Sequence, residues 1–201
     1  YLDEEGERKP YTYEMSGYVG EKYETSEKEI AYYEYMKHLE PSNKTGVYTQ
    51  DDDTVVYYYR KLPFNMAIEK KLKGATVNDQ EYNIGKNEKL TKIEVVASEI
   101  GRTKIEVKYA IKVSNTGEIE GSAKVVDRIP EGFKIAQSNP SYWKAKGDGS
   151  LETTVELKAK ESKELEVVLN WKNGSSNFGS MRNQAIIEET NNPANYLETT
   201  L

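Results

Sequence analysis

Residues 105–129 carry two segments in which apolar and polar side chains alternate, and this alternation constrains the fold more than any other feature. The first segment has an apolar residue at every second position: Ile105, Val107, Tyr109, Ile111 and Val113. Ala110 is the only apolar residue at the positions between them. A period of two is typical of a β-strand with one buried face. After a turn at 115–117 the pattern resumes as Ala123, Val125, Asp127 and Ile129. An acidic side chain, that of Asp127, therefore falls on an otherwise apolar face.

Further segments with strand-forming patterns lie on both sides of this pair. The predicted strands of this part of the chain are 65–72, 92–97, 103–114, 121–129, 151–158, 163–170 and 181–188. Turn-forming residues separate them. About seven strands in this arrangement predict an immunoglobulin-like (Ig-like) sandwich of two antiparallel sheets. Trp143 and Trp171 are candidates for its core or its rim.

Tyrosine is concentrated at the start of the chain, where twelve of the sixteen tyrosines precede residue 60. Short tyrosine-containing runs such as 11–13 and 55–59 favour strands, and glycines supply turns between them. Residues 1–62 are therefore predicted to form a small, mostly β, β-grasp-like domain, with a weak helical signal in 25–40. The short connection to a second domain, 63–201, predicts a stiff junction.

Composition argues against several kinds of site. The chain has no cysteine, which excludes disulfides and thiolate metal sites, and its one histidine, His38, gives little support for a zinc site or a Ser-His-Asp triad. We interpret His38 as a surface or turn residue. The net charge of −6 argues against nucleic acid as a partner. No apolar run is long enough for membrane insertion.

The acidic run at 51–53 is the one candidate for a metal ion. Three successive aspartates could hold calcium, but they lack the spaced ligands of a known calcium loop, and a solvated turn fits them better. We therefore predict no metal and no cofactor.

Four short motifs in the first domain resemble the MucBP repeats of Gram-positive surface proteins. They are Tyr1-Leu2-Asp3-Glu4-Glu5-Gly6, Gly17-Tyr18-Val19-Gly20-Glu21-Lys22-Tyr23, Gly46-Val47-Tyr48-Thr49 and Asp53-Thr54-Val55-Val56-Tyr57-Tyr58-Tyr59. The resemblance implies mucin or glycan binding, although such repeats also serve as spacers. On this basis Tyr57, Tyr58 and Tyr59 are candidates for an aromatic platform that binds sugar rings. The alternative is that they only pack across strands.

The second domain resembles the Ig-like conserved-repeat domains of Firmicutes surface proteins, close to the pilin and adhesin domains that cross-link themselves. The motifs that carry the resemblance are Met66-Ala67-Ile68-Glu69-Lys70-Lys71-Leu72, Tyr109-Ala110-Ile111-Lys112-Val113-Ser114-Asn115-Thr116-Gly117, Asp127-Arg128-Ile129-Pro130-Glu131-Gly132-Phe133 and Asn183-Gln184-Ala185-Ile186-Ile187-Glu188-Glu189. It spans residues 64–190.

Strand alternation brings three polar side chains of this domain to the inner face. Lys70 shares a face with Met66, Ile68 and Leu72 on the first strand, and Asn183 shares one with Ala185 and Ile187 on the last. Together with Asp127, they would be costly to bury unless they satisfied one another. The plainer alternatives are that Lys70 reaches solvent, that Asn183 caps a turn and that Asp127 accepts backbone N–H groups.

The resemblance gives this trio a chemical role. In such families a lysine and an asparagine form an intramolecular isopeptide bond, here Lys70 to Asn183, and an acid, here Asp127, moves the protons. Lys71 is the alternative nucleophile if the strand register slips by one residue. Glu106 and Glu99 are weaker alternatives for the acid.

The favoured functional hypothesis is a structural stalk or adhesin segment of an extracellular, wall-attached Gram-positive protein, of which this chain is a piece. It would not be an enzyme beyond one self-modifying event. The alternative is a binding module whose tyrosine-rich domain recognises host glycans, mucin or an extracellular host protein. Neighbouring repeats of the parent chain are further expected partners. An enzyme acting on an external substrate has no support beyond scattered acids.

Overall fold

The computed structural model describes residues 12–83, 92–173 and 181–194, and of Asn83 only the backbone. The described chain divides into two compact units. Unit 1 ends at Pro63 and also includes Ala194, and unit 2 is Phe64–Pro193. The predicted second domain, 63–201, included Ala194, which the structure groups with unit 1. Residues 1–11, which carry part of the MucBP-like pattern, lie outside the described residues.

The described residues of unit 1 contain four very short strands. They are β1 (Lys22–Glu24), β2 (Tyr33–Tyr35), β3 (Thr45–Val47) and β4 (Tyr59–Lys61). β1 pairs with β3 and β2 pairs with β4, both antiparallel. The helical signal in 25–40 corresponds to a single 3-10 turn, Lys37–Leu39. Residues 12–13 and 55–58 are not strands, so the tyrosine-containing runs overpredicted regular structure.

In the described part of unit 2, nine strands form two antiparallel sheets. They are β5 (Met66–Val77), β6 (Gln80–Asn83), β7 (Ile105–Asn115), β8 (Gly121–Arg128), β9 (Phe133–Ile135), β10 (Lys144–Ala145), β11 (Ser150–Leu157), β12 (Ser162–Trp171) and β13 (Gln184–Asn191). One sheet has the order β6-β5-β7-β12-β9 and the other β10-β11-β8-β13. The predicted mostly β, sandwich-like fold is confirmed.

The core of unit 2 lies between the inner faces of these sheets. Its most buried members come from the central strands of both sheets: Ile111, Val113, Val125, Leu151, Val155, Leu165, Val167 and Leu169. Trp143 and Trp171 are also buried in this cluster, as predicted. Along β7 the inner side chains from Ile105 to Val113 are apolar and Lys112 is exposed, as expected, whereas the outward Ala110 is also buried.

One predicted strand, 92–97, is wrong. Residues 92–96 form no strand, and Ala97–Glu99 form a 3-10 turn. Ile93 and Val95 nevertheless pack against the core. The apolar alternation of this segment therefore reflects the burial of one side of it and not the pairing of a strand. The described residues contain no helix long and apolar enough to cross a membrane.

Candidate cross-linking site

Lys70 points into the sandwich because β5 alternates strictly between Met66 and Lys73. Met66, Ile68 and Leu72 on the same face pack against the core, and the Lys70 side chain is only 8% exposed. Lys71 faces outward, with 69% of its side chain exposed and its ammonium 2.8 Å from a carboxylate oxygen of Glu69. The observed register therefore selects Lys70 and rules out Lys71 as the inward lysine.

Asp127 is the most deeply placed charged group of the inner face. It lies on β8 in register with Leu151 of β11 and Ala185 of β13, and its side chain is 0% exposed. Its Oδ2 accepts a hydrogen bond from the Lys70 ammonium. Its Oδ1 is buried and has no hydrogen-bond partner among the described residues. The carboxyl is thus half satisfied in an apolar environment.

Asn183 lies directly before β13 and completes the group. Ala185 is paired with Asp127, so Asn183, two residues earlier on the same face, lies alongside the Asp127 side chain. A side-chain interaction with the Asn183 amide lowers the pKa of Asp127, but this contact does not meet the distance and angle requirements of a hydrogen bond. Yet both Asn183 Oδ1 and Nδ2 are buried without a hydrogen-bond partner in the part of the chain that the structure describes. Leaving buried amide atoms unpaired is costly.

The three residues come from both sheets. Lys70 belongs to the five-stranded sheet, whereas Asp127 and the strand that follows Asn183 belong to the four-stranded sheet. They meet on the side of the sandwich where β5 faces β13. The predicted trio is therefore brought together, with two of its members in direct contact. It spans the space between the sheets.

Burial shifts the pKa values of Lys70 and Asp127 in the directions that favour their uncharged forms. It lowers the pKa of Lys70, against the opposing effect of the Asp127 charge and hydrogen bond. It raises the pKa of Asp127, against the opposing effects of Lys70 and Asn183. Both shifts favour a neutral amine beside a neutral carboxylic acid. That is the combination needed for a lysine to act as a nucleophile next to a proton donor.

Tyr109 is a fourth member that sequence reasoning did not assign to the site. Its ring centroid lies 4.6 Å from Lys70 Nζ. Burial raises the pKa of its hydroxyl, and the charge of Asp127 raises it further. The alternation of β7 had placed Tyr109 on the inner face. Its proximity to Lys70 depended on the pairing of β5 with β7, which the sequence alone does not give.

The alternative acids have other partners. Glu106 accepts a hydrogen bond from Ser138 at 3.0 Å, and its neighbours Ile105 and Val107 take the inner face of β7. Glu99 lies in the 3-10 turn and pairs with Arg102 at 2.7 Å. Neither contacts Lys70 within the described structure, whereas Asp127 does.

The three candidate platform tyrosines are not equivalent. Tyr59 is only 3% exposed, and its hydroxyl bonds both the N–H and the carbonyl of Lys28 at 2.8 Å. Tyr57 packs on Tyr35 and hydrogen-bonds Thr25 at 2.8 Å. Tyr58 is half-buried. Because Tyr59 lies in the interior, the three cannot form one exposed platform.

The remaining candidates from composition lie on the surface. His38 is exposed in the 3-10 turn. Asp53 accepts hydrogen bonds from the side chain of Asn43 at 3.1 and 3.3 Å and from the N–H of Thr54. No group of three or more His, Cys, Asp or Glu suited to a metal ion occurs among the described residues.

Residues 1–60 match the sequence model of the MucBP domain family. This match confirms the resemblance inferred for the first domain and supports a cell-surface role. It covers 60 of the 201 residues. Comparison with curated proteins gave no match, and comparison with solved structures gave none either. The resemblance of residues 64–190 to self-cross-linking Ig-like domains stays a prediction.

Proposed function

We propose that unit 2 is a self-cross-linking domain in a stalk or adhesin segment of an extracellular protein attached to the wall of a Gram-positive cell. The observation that carries this proposal is the meeting of Lys70, Asp127 and Asn183 between the sheets. Their charged and amide groups are buried, and the Asn183 amide has no hydrogen-bond partner among the described residues. Formation of an amide bond between Lys70 Nζ and Asn183 Cγ would remove the charge on Lys70 and would replace the unpaired Nδ2 of Asn183.

The reaction needs no external reagent. A proton moves from the Lys70 ammonium to Asp127, and the neutral amine attacks Cγ of Asn183 while Asp127 protonates the side-chain carbonyl oxygen. The new bond joins Lys70 Nζ to Asn183 Cγ, and the bond from Cγ to Nδ2 breaks. Asp127 takes one proton from the attacking nitrogen and passes it to Nδ2, which leaves as ammonia. Asp127 then takes back the proton of the carbonyl oxygen as the C=O bond reforms, and ends protonated. The step is a single event without turnover, so the domain is not an enzyme in the usual sense.

The fold supplies what this chemistry requires. The paired strands hold the amine, the acid and the amide in fixed positions, which replaces a bimolecular encounter with an intramolecular one. The apolar surroundings bring the pKa values of Lys70 and Asp127 toward each other. The product would tie the first strand of the sandwich, β5, to the segment that opens its last strand, β13. By comparison with a disulfide closing a loop of similar length, it would contribute about 4–5 kcal/mol to stability.

The intact mass of the denatured chain tests this proposal. The wild type should weigh about 17 Da less than its sequence, because ammonia is lost. Lys70→Ala and Asn183→Ala should have their full masses. Lys71→Ala is the matched control and should keep the deficit. A deficit of about 18 Da would indicate loss of water and an amide between Lys70 and Asp127 instead. A wild type of full mass would overturn the proposal.

A second function, recognition of mucin-type glycans by unit 1, is favoured by the MucBP match over residues 1–60. Among the described tyrosines of this unit, Tyr18 offers the most accessible ring, with 87% exposure. Binding of the full chain to immobilised mucin should fall when Tyr18 is replaced by serine and should remain in Lys37→Ser, a surface control. Equal binding by the two variants would argue against a role for Tyr18, and no binding by the wild type would argue against mucin recognition.

A further inference from the structure

Tyr109 lies diagonally across the strand pair from Lys70. In the antiparallel register of β5 and β7, Lys70 pairs with Ile111 and Leu72 pairs with Tyr109. Diagonal neighbours on one face are within reach when one side chain is aromatic and the other long. The ring centroid of Tyr109 lies 4.6 Å from Lys70 Nζ, which is the distance of a cation–π contact.

The hydroxyl of Tyr109 also lies within the electrostatic influence of the acid of the site. The pKa of its hydroxyl is raised by burial and by the charge of Asp127. Lys70 on β5, Tyr109 on β7 and Asp127 on β8 are the titratable groups whose charges act on one another here. Tyr109 thus contacts the amine through its ring while lying in the field of the carboxylate.

We propose that Tyr109 is a positioning residue for the cross-link, holding Lys70 Nζ against Asp127 and excluding water from the amine. This inference rests on the proposed function of unit 2. The ring attracts the ammonium but not the neutral amine. Once the proton has passed to Asp127, that attraction ends and the amine is free to approach Asn183. The ring therefore restricts the lysine before proton transfer without holding it back afterwards.

Positioning is needed because lysine is the most mobile member of the trio. Its side chain has four rotatable bonds and loses considerable rotamer freedom when it is fixed. The hydrogen bond to Asp127 restrains Nζ from one side only. A flat aromatic face supplies a second restraint, and it occupies space through which water would otherwise reach the amine.

The test is the rate of ammonia loss during refolding. Chain recovered unfolded from inclusion bodies is diluted out of urea, quenched with acid at intervals and weighed intact. Tyr109→Phe keeps the ring and should react within about threefold of the wild-type rate. Tyr109→Leu and Tyr109→Met lose the ring and should react at least about tenfold more slowly, because the near-attack geometry is less populated. Val107→Ala, the preceding inner residue of β7, is a packing control and should react like the wild type.

The pH dependence of the rate shows whether Tyr109 positions Lys70 and keeps water out of the site or only fills space. Water admitted to the site lowers the pKa of Asp127, so the acid limb of the rate profile should move to lower pH in Tyr109→Met and stay in place in Tyr109→Phe. Tyr109→Met is included because its volume preserves folding if Tyr109→Leu does not fold.

Failure of this inference and failure of the proposed function look different. A wild type that loses ammonia while the Leu and Met variants react at the same rate overturns the role of Tyr109 only. A slow Phe variant would also overturn it, because the hydroxyl and not the ring would then matter. A wild type that keeps its full mass overturns both.

Discussion

The Asn183 amide is unusual at the scale of single residues because a buried side chain with both a donor and an acceptor uses neither. Its two polar atoms and Asp127 Oδ1 lie together without hydrogen bonds among the described residues. Such orphan groups need a physical reason, since each unpaired buried group costs about 1–3 kcal/mol. The proposed reaction, which would consume the amide nitrogen and join the carbon to Lys70, would supply that reason.

The unlinked site should make stability depend on pH in a characteristic way. In Asn183→Ala the pair of Lys70 and Asp127 remains but cannot react. The pKa of Asp127 is raised from its ordinary 3.8, so the folded state holds a proton that the unfolded chain releases, and stability falls as pH rises through the raised value. The pKa of Lys70 is lowered from 10.5, so stability is regained as pH rises toward 10.5. The free energy of unfolding should therefore be lowest at intermediate pH.

Urea titrations at a series of pH values measure this effect. The reference is Lys70→Met, Asp127→Leu and Asn183→Ala combined, in which apolar side chains of similar size replace the pair. The stability difference between the two proteins should change by up to about 1.4 kcal/mol per unit of pKa shift. A stability difference that stays constant with pH would show that burial does not shift the pKa values of Lys70 and Asp127.

The three residues of the candidate site could be predicted from sequence because strand alternation fixes the side on which a residue lies. Lys70 was distinguished from Lys71 in this way, and Asp127 was recognised as acidic on an apolar face. Alternation does not give the pairing between distant strands, so the contact of Tyr109 with Lys70 was missed. It also could not show that Tyr59 is interior, because strand-like tyrosine runs have the same composition whether they pack or face solvent.

At the scale of elements, loop side chains protect part of the edge of β12. β9 pairs with β12 only from Leu169 to Trp171. Beyond that point the N–H of Glu166 donates a hydrogen bond to the Tyr142 hydroxyl at 2.7 Å. The carbonyl of Glu166 accepts one from the indole N–H of Trp143, also at 2.7 Å. The N–H of Val168 donates to Asn139 Oδ1 at 2.9 Å. These side chains take the place of a neighbouring strand.

Removing one of these bonds should destabilise unit 2. Asn139→Ala leaves the N–H of Val168, a residue that is 1% exposed, without its acceptor. The expected loss is about 1–3 kcal/mol, measured by urea denaturation in a Lys70→Ala background where no cross-link hides the effect. Ser138→Ala next to it removes an exposed bond to Glu106 and should cost less than about 0.5 kcal/mol. Equal losses would contradict the protective role of Asn139.

The long strands could be predicted to within three residues because each buries one face over many positions, except that β5 continues to Val77, five residues past the predicted end. An irregularity in register between Leu72 and Gly74 interrupts the alternation there. Shorter elements could not. β9 and β10 have two or three residues each, too few for a period of two to be recognised. β6 follows a turn in which Asn78 and Asp79 both have positive φ, 47° and 70°. Asn and Asp favour that conformation, so a hairpin signal was present but weak.

At the scale of the molecule, the cross-link would remove most of unit 2 from the path of a pulling force. Between Lys70 and Asn183 lie 112 residues (183 − 70 − 1). At about 3.3–3.6 Å each, they would add roughly 370–400 Å of extension if they unfolded. Single-molecule pulling on the chain ends should show this step in Lys70→Ala and not in the wild type or Lys71→Ala. The step in all three proteins would contradict a covalent link.

The division into two units could be anticipated from the shift in composition near residue 63, because tyrosine-rich runs give way there to longer alternating strands. The inclusion of Ala194 in unit 1 could not, since it depends on where the chain goes after β13. No periodic signal in the sequence marks this position.

The most direct test of the account is to find the bond in a proteolytic peptide. Trypsin cleaves after lysine and arginine, so an unmodified chain yields a peptide ending at Lys70 and a separate peptide beginning at Asn183. A lysine joined through its Nζ is not cleaved. We therefore predict one branched species, residues 62–71 joined to the peptide that begins at Asn183, lighter by about 17 Da than their sum, with fragmentation placing the branch at Lys70 and Asn183. Recovery of the two linear peptides alone, from fully folded protein, would contradict the central claim.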